Sequence, residues 1–491
     1  MGLRLFNTLS SRLEDFTPLN DNKVGIYTCG MTVQGPPHIG HIRAALNRDV
    51  LVRWLRYLGY EVISVENFTD VDDKIIQKQK EYKLDWRIIA QGNIEKYLWA
   101  CDQLNIERAT VYPRASQHIE EIIDLVQSLV DKGYAYESEG DVYYRVRNFP
   151  RYGRLSKKSI DELVSGARIE PTEHKKDPLD FAVWKSAKSG EPYWLSPWGK
   201  GRPGWHIECS AMSMHYLGET FDIHTGGEDL IFPHHENEIA QSEAATGKQF
   251  VRYWLHTGWV TLGGEKMAKS TGHFLLIEDL LKEYRPNVVR LYLLKTHYRN
   301  QIEFSRERLN EARSAYLRIQ TYLHSFKELG DIEKPLMLEE FTQAMNDDLN
   351  TSRALGIIYE LIKKGYEEND IDIARSVKYY LRTLGFKDEI PEPPFESVMI
   401  IIKEVMERLK TEGRTEILDK VKDGFLRIFE DVNQMKDVFP GVVGLILDVR
   451  NMLRKEKEYS FADYIRSRLA DAGIQIQDIN INSSTYRLEV R

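Results

Sequence analysis

Side chains of the types that bind zinc stand at three separate places in the sequence. Cys29 ends an apolar run, Cys209 follows shortly after Trp205, and His234 and Glu238 stand four residues apart in a predicted helix. One helical turn puts residues four apart on the same face. Two thiolates, an imidazole and a carboxylate form a donor set of borderline softness, which suits Zn²⁺ and leaves room for a further ligand.

A plainer interpretation is that Cys29 and Cys209 are small buried hydrophobic residues, which is the usual fate of an isolated cysteine. Cys101 fits that description because it lies in a helical pattern without other ligand types nearby, and we assign it to packing. A zinc hydrolase is disfavoured because the sequence lacks a His-Glu-x-x-His motif. We favour the metal interpretation because Cys29 and Cys209 both border polar strand-end segments with glycine or tryptophan around them.

Two further motifs could hold a nucleotide. His38, Gly40 and His41 stand in the string PHIGH between a predicted strand and a helix, where unpaired N–H groups and the helix dipole attract phosphate. Lys266 and Lys269 stand in the string KMAKS, after a strand and two glycines. Two lysines on a mobile loop can close over phosphates and stabilise the charge on leaving pyrophosphate. Each motif is weak evidence by itself.

The first seventy residues predict the β-α-β unit that positions Cys29 and the histidine motif. Strand signals at 24–27 and 62–65 flank a helix, which is signalled by apolar residues at i, i+4 spacing from Leu46 to Leu58. Such a unit requires a parallel sheet, and ligands bind at the carboxyl ends of its strands.

The same alternation of strand and helix resumes later in the chain. A strand is predicted at 221–225, a helix opening at Pro233, and another strand at 253–260. Residues 116–203 interrupt the alternation with a helix, a hairpin turning at Gly140 and a polar stretch rich in Gly, Pro and Lys. We therefore expect an insertion within the sheet domain, and long helices after it.

Composition limits the class of protein. A chain of 491 residues exceeds one compact core, so two to four domains are expected. The net charge of -8 counts against a protein that coats nucleic acid indiscriminately. No apolar run reaches the length of a membrane span, and three cysteines are too few for a disulfide framework. We predict a cytoplasmic protein with no membrane partner.

The motifs resemble a known family when they are taken together. PHIGH and KMAKS, in this order, resemble the paired signature of class I aminoacyl-tRNA synthetases, with Ala268 where that family has serine. Longer strings resemble cysteinyl-tRNA synthetases in particular, and the resemblance spans nearly the whole chain. These strings are YTCG at 27–30, NFTDVDDK at 67–74, RPGWHIECS at 202–210, GGEDL at 226–230 and HHENE at 234–238.

The resemblance implies an α/β fold. The catalytic domain would be a class I Rossmann-like parallel-sheet domain with an insertion, followed by an α-helical bundle and a small, mostly helical C-terminal domain. The expected segments are 1–115 and 204–260 for the halves of the catalytic domain, 116–203 for the connective insertion, 261–304 for a KMSKS-type loop and stem-contact region, 305–390 for the bundle and 391–491 for the anticodon-binding region.

The resemblance also implies a cysteine–tRNA ligase activity. Such an enzyme activates cysteine with ATP to cysteinyl-adenylate and transfers it to the 3′ end of cysteine tRNA, here as a monomer and without an editing domain. One Zn²⁺ per chain would select the substrate thiolate, and Mg²⁺ would accompany ATP. The implied zinc ligands are Cys29, Cys209, His234 and Glu238, and the implied amino-acid contacts are Thr69, Trp205, His224 and Asp229. The implied ATP contacts are His38, Gly40, His41, Lys266 and Lys269. Of these, His38, His41, Lys266 and Lys269 would be catalytic.

Two other classes of protein remain open at this point. A zinc-dependent ligase that joins cysteine to an amino sugar shares the pocket and both motifs but lacks an anticodon-binding region. A non-catalytic, zinc-stabilised RNA-binding protein needs neither the histidine pair nor the loop lysines. We favour the tRNA ligase because MNDDLNT at 345–351 and the segment 462–476 resemble its carboxyl-terminal region. A dimerisation or scaffold bundle is the plain alternative for those helices.

Overall fold

The computed structural model describes residues 2–160, 162, 174–262, 265–266, 275–324, 326, 329–368, 370–388, 395–430, 438–480 and 483–488. The chain forms two compact units. Unit 1 contains Met1–Ala312, Met337–Tyr359 and Tyr380–Lys387, and unit 2 contains Arg313–Leu336, Glu360–Tyr379 and Asp388–Arg491.

The described residues form strands and helices throughout both units. The strands are β1 (Arg4–Asn7), β2 (Arg12–Asp15), β3 (Lys23–Thr28), β4 (Glu61–Glu66), β5 (Ala135–Ser138), β6 (Asp141–Tyr144), β7 (Phe181–Ser186), β8 (Trp194–Ser196), β9 (Gly199–Pro203), β10 (Phe221–Gly227), β11 (Val251–Thr257), β12 (Val260–Leu262), β13 (Glu265–Lys266), β14 (Ile302–Glu303), β15 (Ile474–Asn480) and β16 (Ser483–Leu488). The helices are α1 (Ile39–Tyr57), α2 (Asp73–Tyr82), α3 (Trp86–Gln103), α4 (Ile119–Asp131), α5 (Trp205–Leu217), α6 (Glu236–Thr246), α7 (Ile277–Glu283), α8 (Pro286–Leu294), α9 (Arg306–His324), α10 (Leu338–Asn346), α11 (Thr351–Glu368), α12 (Ile371–Thr383), α13 (Phe395–Thr411), α14 (Thr415–Glu430), α15 (Val438–Lys455) and α16 (Tyr459–Asp471).

A parallel sheet lies at the centre of unit 1. In the described part of the chain its strand order is β11-β10-β3-β4, and Ile26 of β3 lies opposite Ser64 and Ile223. Strands β3 and β4 are buried on both faces towards their carboxyl ends, as strands covered by helices on both sides must be. The predicted β-α-β unit is confirmed, and Cys29 follows β3 at the carboxyl edge of the sheet.

The strands of a second sheet come between β4 and β10 in the sequence. Antiparallel ladders join its strands in the order β5-β6-β7-β9-β8. The hairpin at Gly140 is predicted correctly, but the strands from 181 to 203 are not, because their Gly and Lys content is typical of loops. Gly201 has a packing reason, since a Cβ there would lie 2.2 Å from Nε1 of Trp184.

One predicted element near the site is confirmed and another differs from the structure. The sequence predicts a helix opening at Pro233, and helical backbone runs from Pro233 into α6, whereas Phe232 just before it is extended (φ −139°, ψ 132°), as a residue that precedes proline prefers. The strand predicted at 253–260 is split between β11 and β12, which belong to different sheets.

A buried ion pair joins helices α1 and α8 within unit 1. The Asp49 carboxylate accepts a hydrogen bond from the Arg290 guanidinium, and both side chains are fully buried. Arg290 also donates to the carbonyl oxygens of Leu104 at 2.8 Å and Leu384 at 2.7 Å. These contacts fix α1, whose amino terminus carries the PHIGH histidines.

Helices α13 to α16 of unit 2 pack around an apolar core of their own, which includes Val405, Val421, Ile446 and Leu469. Helix α16 leads into the antiparallel hairpin of β15 and β16. No helix in the described ranges of the chain combines the length and apolar character that a membrane span requires.

Candidate metal centre and active site

The fold brings the four predicted zinc ligands together. Cys29 follows the end of β3, Cys209 lies on the second turn of α5, His234 lies in the turns before α6, and Glu238 lies in the first turn of α6. One ligand atom from each of these side chains lies within 4.8 Å of all the others. Residues from four separate elements therefore converge at the carboxyl edge of the parallel sheet.

The distances among these ligand atoms suit a tetrahedral ion. The sulfur atoms of Cys29 and Cys209 are 3.6 Å apart, and Oε1 of Glu238 lies 3.4 Å from the Cys29 sulfur and 3.0 Å from Nε2 of His234. Ligands bound to tetrahedral Zn²⁺ at their usual bond lengths lie about 3.3–3.8 Å apart. Both distances to the Cys29 sulfur lie in this range and the nitrogen–oxygen distance is slightly shorter, so the donor set of two sulfurs, a nitrogen and an oxygen fits Zn²⁺ in type and closely in spacing.

The electrostatics of the cluster also favour a cation. Burial raises the pKa of the Cys29 thiol, and the neighbouring Cys209 and Glu238 raise it further. Burial opposes the ionisation of Glu238, but His224 and His234 outweigh it and lower the pKa of that carboxyl to about 2. Burial likewise opposes a charge on His234, but Glu238 and Cys209 outweigh it and raise the pKa of that imidazole to about 10.

A second, overlapping donor set contains His235, which is not among the residues predicted from the sequence. Cys29, His224, His235 and Glu238 also offer ligand atoms within 4.8 Å of one another. Nε2 of His224 lies 2.9 Å from Oε2 of Glu238, and Nε2 of His235 lies 3.4 Å from the Cys29 sulfur. This set replaces one thiolate and one imidazole with two imidazoles, so the number of bound sulfur atoms distinguishes the two sets.

Two further histidines support the cluster from outside it. Nδ1 of His235 lies 2.8 Å from Nε2 of His256, whose Nδ1 lies 2.8 Å from the hydroxyl of Thr8. Burial lowers the pKa of His256 to about 3, so this ring stays neutral. His206 lies with its Nδ1 2.8 Å from Nδ1 of His234. Partners of this kind orient metal-binding imidazoles and fix their tautomers.

A sequence signal exists for both supporting histidines. His206 precedes Cys209 by three residues, which places it on the same face of a helix. His256 follows Trp254 by two residues, which places both on one face of a strand, and Trp254 stacks on His224 at a centroid distance of 4.5 Å.

The residues expected to line the amino-acid pocket lie at different depths. His224 and Thr69 are buried, and the Thr69 hydroxyl donates to Oε2 of Glu208 at 3.0 Å. Trp205 is 38% exposed and lies over the His234 ring at a centroid distance of 4.3 Å. Asp229 is exposed, on the turn at 228–230. Trp205 and His224 contact predicted zinc ligands, whereas Thr69 connects to the cluster through the neighbour of Cys209.

The PHIGH histidines cap the amino terminus of α1. Nδ1 of His38 accepts a hydrogen bond from the backbone N–H of Gly40 at 3.1 Å, and Nδ1 of His41 accepts one from the backbone N–H of His38 at 3.2 Å. The two rings stack with their centroids 3.6 Å apart. Because Nδ1 is an acceptor in both rings, the proton of each neutral imidazole resides on Nε2.

The structure describes only one of the two lysines of the KMAKS string. The backbone of Lys266 belongs to β13 and pairs with Thr261 of β12. Lys269 and the preceding glycines at 263 and 264 lie outside the described residues.

Two glycines allow the strand ends to meet. A Cβ at Gly30 would lie 1.7 Å from the carbonyl oxygen of Asn67, and a Cβ at Gly226 would lie 2.7 Å from Cε1 of His235. Neither position accepts a larger residue without displacing the segment that carries Cys29 or the ring of His235.

Comparison with known proteins identifies the class and then the family. A model described as the tRNA synthetases class I (C) catalytic domain matches residues 15–314, and a DALR domain model matches residues 340–386. The fold and the site thus define a class I aminoacyl-tRNA synthetase. A cysteine–tRNA ligase from Thermodesulfovibrio yellowstonii is 46% identical over 97% of this chain and 98% of its own, and that of Aquifex aeolicus is 44% identical over 97% of each. The chain belongs to the cysteine–tRNA ligase family.

Solved structures agree on the fold. A Mycobacterium tuberculosis methionyl-tRNA synthetase in complex with methionyl-adenylate is 14% identical, with a TM-score of 0.51 over 96% of this chain and 98% of its own. A leucyl-tRNA synthetase from Agrobacterium radiobacter gives a TM-score of 0.53 at 12% identity, over 75% of this chain and 84% of its own.

Proposed function

We propose that this chain activates cysteine with ATP to cysteinyl-adenylate and transfers it to the 3′ end of cysteine tRNA. The observation that carries the proposal is the buried cluster of two sulfurs, an imidazole and a carboxylate at the carboxyl edge of the parallel sheet. Family membership at 46% identity supports it independently.

We propose that selection of cysteine depends on one zinc ion. Cys29, Cys209, His234 and Glu238 would hold it, and bound zinc would supply a Lewis acid that lowers the pKa of a thiol and binds the thiolate. A pocket that relies on shape alone separates substrates of such similar size by only about 10–200-fold. Serine would be rejected because its hydroxyl is a harder and much less acidic ligand, so no editing domain is needed.

This chain's own residues orient the amino acid and exclude water from it. Trp205 lies over His234 and forms an exposed wall beside the cluster, while His224 is buried beneath it. Nδ1 of His224 is buried and has no hydrogen-bond partner among the described residues. A polar group of the bound substrate would supply that hydrogen bond. We propose Thr69 and Asp229 as further contacts, with Asp229 facing the substrate ammonium group.

ATP would bind at the amino terminus of α1. With their Nδ1 atoms capping the helix, His38 and His41 can offer Nε2–H donors to phosphate oxygens. The positive end of the helix dipole adds to the attraction, and Gly40 keeps the approach open. Mg²⁺ would accompany the nucleotide, and Lys266 and Lys269 would stabilise the charge on leaving pyrophosphate.

The remaining segments would serve tRNA. The DALR match at 340–386 lies within the predicted bundle at 305–390 and supports this assignment. We propose that 116–203 is a connective insertion between the catalytic halves at 1–115 and 204–260, that 261–304 contacts the acceptor stem and that 391–491 binds the anticodon.

We propose that the chain works as a monomer in the cytoplasm. A reducing compartment suits its three cysteines, which are all free and buried.

Cysteine-dependent exchange of pyrophosphate into ATP tests the activation step. Cys209→Ala should lower the exchange rate by at least about 100-fold, because loss of even a supporting partner of a metal ligand costs about 10–100-fold. Cys101→Ala is the matched control, since Cys101 is equally buried but lies outside the cluster. Chelation should abolish exchange and zinc should restore it. Equal activity of both variants would overturn the assigned site.

Transfer assays separate the alternative classes of protein. The chain should charge cysteine tRNA and should leave an amino sugar unreacted. Transfer to the amino sugar alone would instead indicate the related cysteine ligase, and binding of RNA without pyrophosphate exchange would indicate a non-catalytic protein.

A further inference from the structure

A second cluster of metal-binding side chains lies away from the candidate active site. One ligand atom each from His118, Glu121 and His215 lies within 4.8 Å of the other two. His118 immediately precedes α4, Glu121 lies in the first turn of α4, and His215 lies in the last turn of α5. The cluster therefore spans the junction between two packed helices, and none of its residues serves the activity proposed above.

The buried member of the cluster is already oriented as a ligand. His118 is 6% exposed, and its Nδ1–H donates to the carbonyl oxygen of Arg114 at 2.8 Å. That bond places the lone pair on Nε2, where the hydroxyl of Tyr216 donates to it at 2.9 Å. A hydrogen bond from one ring nitrogen to a backbone carbonyl is the usual means by which proteins hold a metal-binding imidazole.

The other two members complete a set of ligands that reaches the surface. Nδ1 of His215 lies 3.3 Å from Oε1 of Glu121, close to the roughly 3.4 Å that separates two ligands of a tetrahedral ion. The His118 and His215 rings meet edge to face with centroids 5.6 Å apart. The side chains of His215 and Glu121 are 46% and 35% exposed, so both can turn towards an ion.

We propose that His118, Glu121 and His215 form a second divalent metal site, which takes Zn²⁺ and joins the start of α4 to the end of α5. Two imidazoles and one carboxylate suit Zn²⁺, Ni²⁺ or Cu²⁺, whereas Mg²⁺ and Ca²⁺ take oxygen ligands. Water supplies the fourth ligand on the exposed side. Positive charge is favourable at the carboxyl terminus of α5, and Glu121 offsets it at the amino terminus of α4.

A metal ion at His118, Glu121 and His215 would also affect the candidate metal centre, because helix α5 contributes residues to both. Helix α5 carries Trp205 and Cys209 near its amino terminus and His215 near its carboxyl terminus. An ion that joins α5 to α4 therefore restrains the same helix that supplies a ligand to the candidate active site.

Counting zinc per chain tests the inference on the full chain without an affinity tag. After chelation and equilibrium dialysis against Zn²⁺, the unmodified chain should hold two ions, and His215→Ala and Glu121→Gln should each hold one. His174→Ala is the matched control and should hold two, because His174 forms the same 3.3 Å contact with Glu139 but belongs to no cluster of three metal-binding side chains among the described residues. One ion in the unmodified chain, or two in His215→Ala, would overturn the inference.

The same measurement keeps this inference separate from the proposed function. Cys209→Ala should lose one ion and retain the other at His118, Glu121 and His215, while the double variant with His215→Ala should hold none. Cobalt distinguishes the sites, because thiolate ligands produce an intense charge-transfer band that the histidine site lacks.

Tyr216→Phe provides a positive test of the ligand atom. Removing the hydroxyl that competes for Nε2 of His118 should tighten zinc binding at this site by roughly 2- to 10-fold. Binding no tighter than in the unmodified chain would contradict Nε2 as the ligand atom.

Discussion

Replacement of Asp49 by asparagine should destabilise unit 1 strongly. Asp49 and Arg290 have no exposed side-chain surface, and Asp49 also accepts hydrogen bonds from Arg53 at 2.9 and 3.0 Å and from the backbone N–H of Glu107 at 2.8 Å. The asparagine keeps the size of the side chain but leaves the Arg290 charge buried without an anion. Breaking a buried pair in this way costs about 3–5 kcal/mol.

Urea unfolding followed by tryptophan fluorescence measures this loss in the right unit. All nine tryptophans lie between Trp54 and Trp259, within unit 1. With a slope of about 3 kcal/mol per M, the midpoint should fall by about 1–1.7 M. Asp102→Asn is the matched control, because Asp102 accepts two hydrogen bonds from Arg108 at 2.8 and 2.6 Å but lies on the surface. Its loss should cost about 0.2–1 kcal/mol.

The contribution of the Asp49 carboxylate to the free energy of unfolding should also depend on pH. Burial opposes its ionisation, but Arg290 and Arg53 outweigh burial and lower the pKa of Asp49. A carboxyl whose pKa is lower in the folded state stabilises it above the unfolded pKa of about 3.9, and this contribution is lost as the pH falls below that value. The difference in free energy of unfolding between the unmodified chain and Asp49→Asn should therefore decrease below about pH 4. A difference that is independent of pH, or no larger than that caused by Asp102→Asn, would contradict this role of the Asp49–Arg290 pair.

Three further predictions test separate parts of the structure. Gly30→Ala should lower zinc content per chain, because its Cβ would meet the neighbouring carbonyl oxygen, whereas Gly92→Ala, with open space around it, should not. Asp478→Asn should lower the thermal stability of unit 2 by about 1 kcal/mol at neutral pH, and the difference should shrink below about pH 4, because a hydrogen bond from Arg450 lowers the pKa of Asp478. Lys269→Ala should slow adenylate formation much more than it weakens cysteine binding, and equal effects on both would contradict its role.

The sequence predicts the parallel sheet well because its signals are local. The apolar runs at 24–27 and 62–65 and the helix between them identify β3, α1 and β4, and the resemblance of the motifs identifies the family. The strands at 181–203 are not predicted, because they are held by packing between strands, such as that of the Trp184 side chain against Gly201, and not by their own composition.

The candidate metal centre is predicted only as a set of residue types. Which imidazoles face Cys29 depends on the irregular turns at 228–235. Pro233 favours the extended backbone of Phe232 before it, but no local signal gives the direction in which His234 and His235 then point. For this reason the sequence does not reveal that His235 lies as near to the Cys29 sulfur as Glu238 does, at 3.4 Å each.

X-ray absorption at the zinc edge counts the sulfur atoms around the ion, so it tests directly whether both Cys29 and Cys209 bind the metal and whether the substrate thiolate joins them. His215→Ala should be used, so that the second site does not contribute. The loaded chain should show two sulfurs at about 2.3 Å, three after cysteine is added, and no change after serine is added. A single sulfur would indicate the set with His224 and His235, and a count that cysteine leaves unchanged would contradict selection of the substrate by its thiolate.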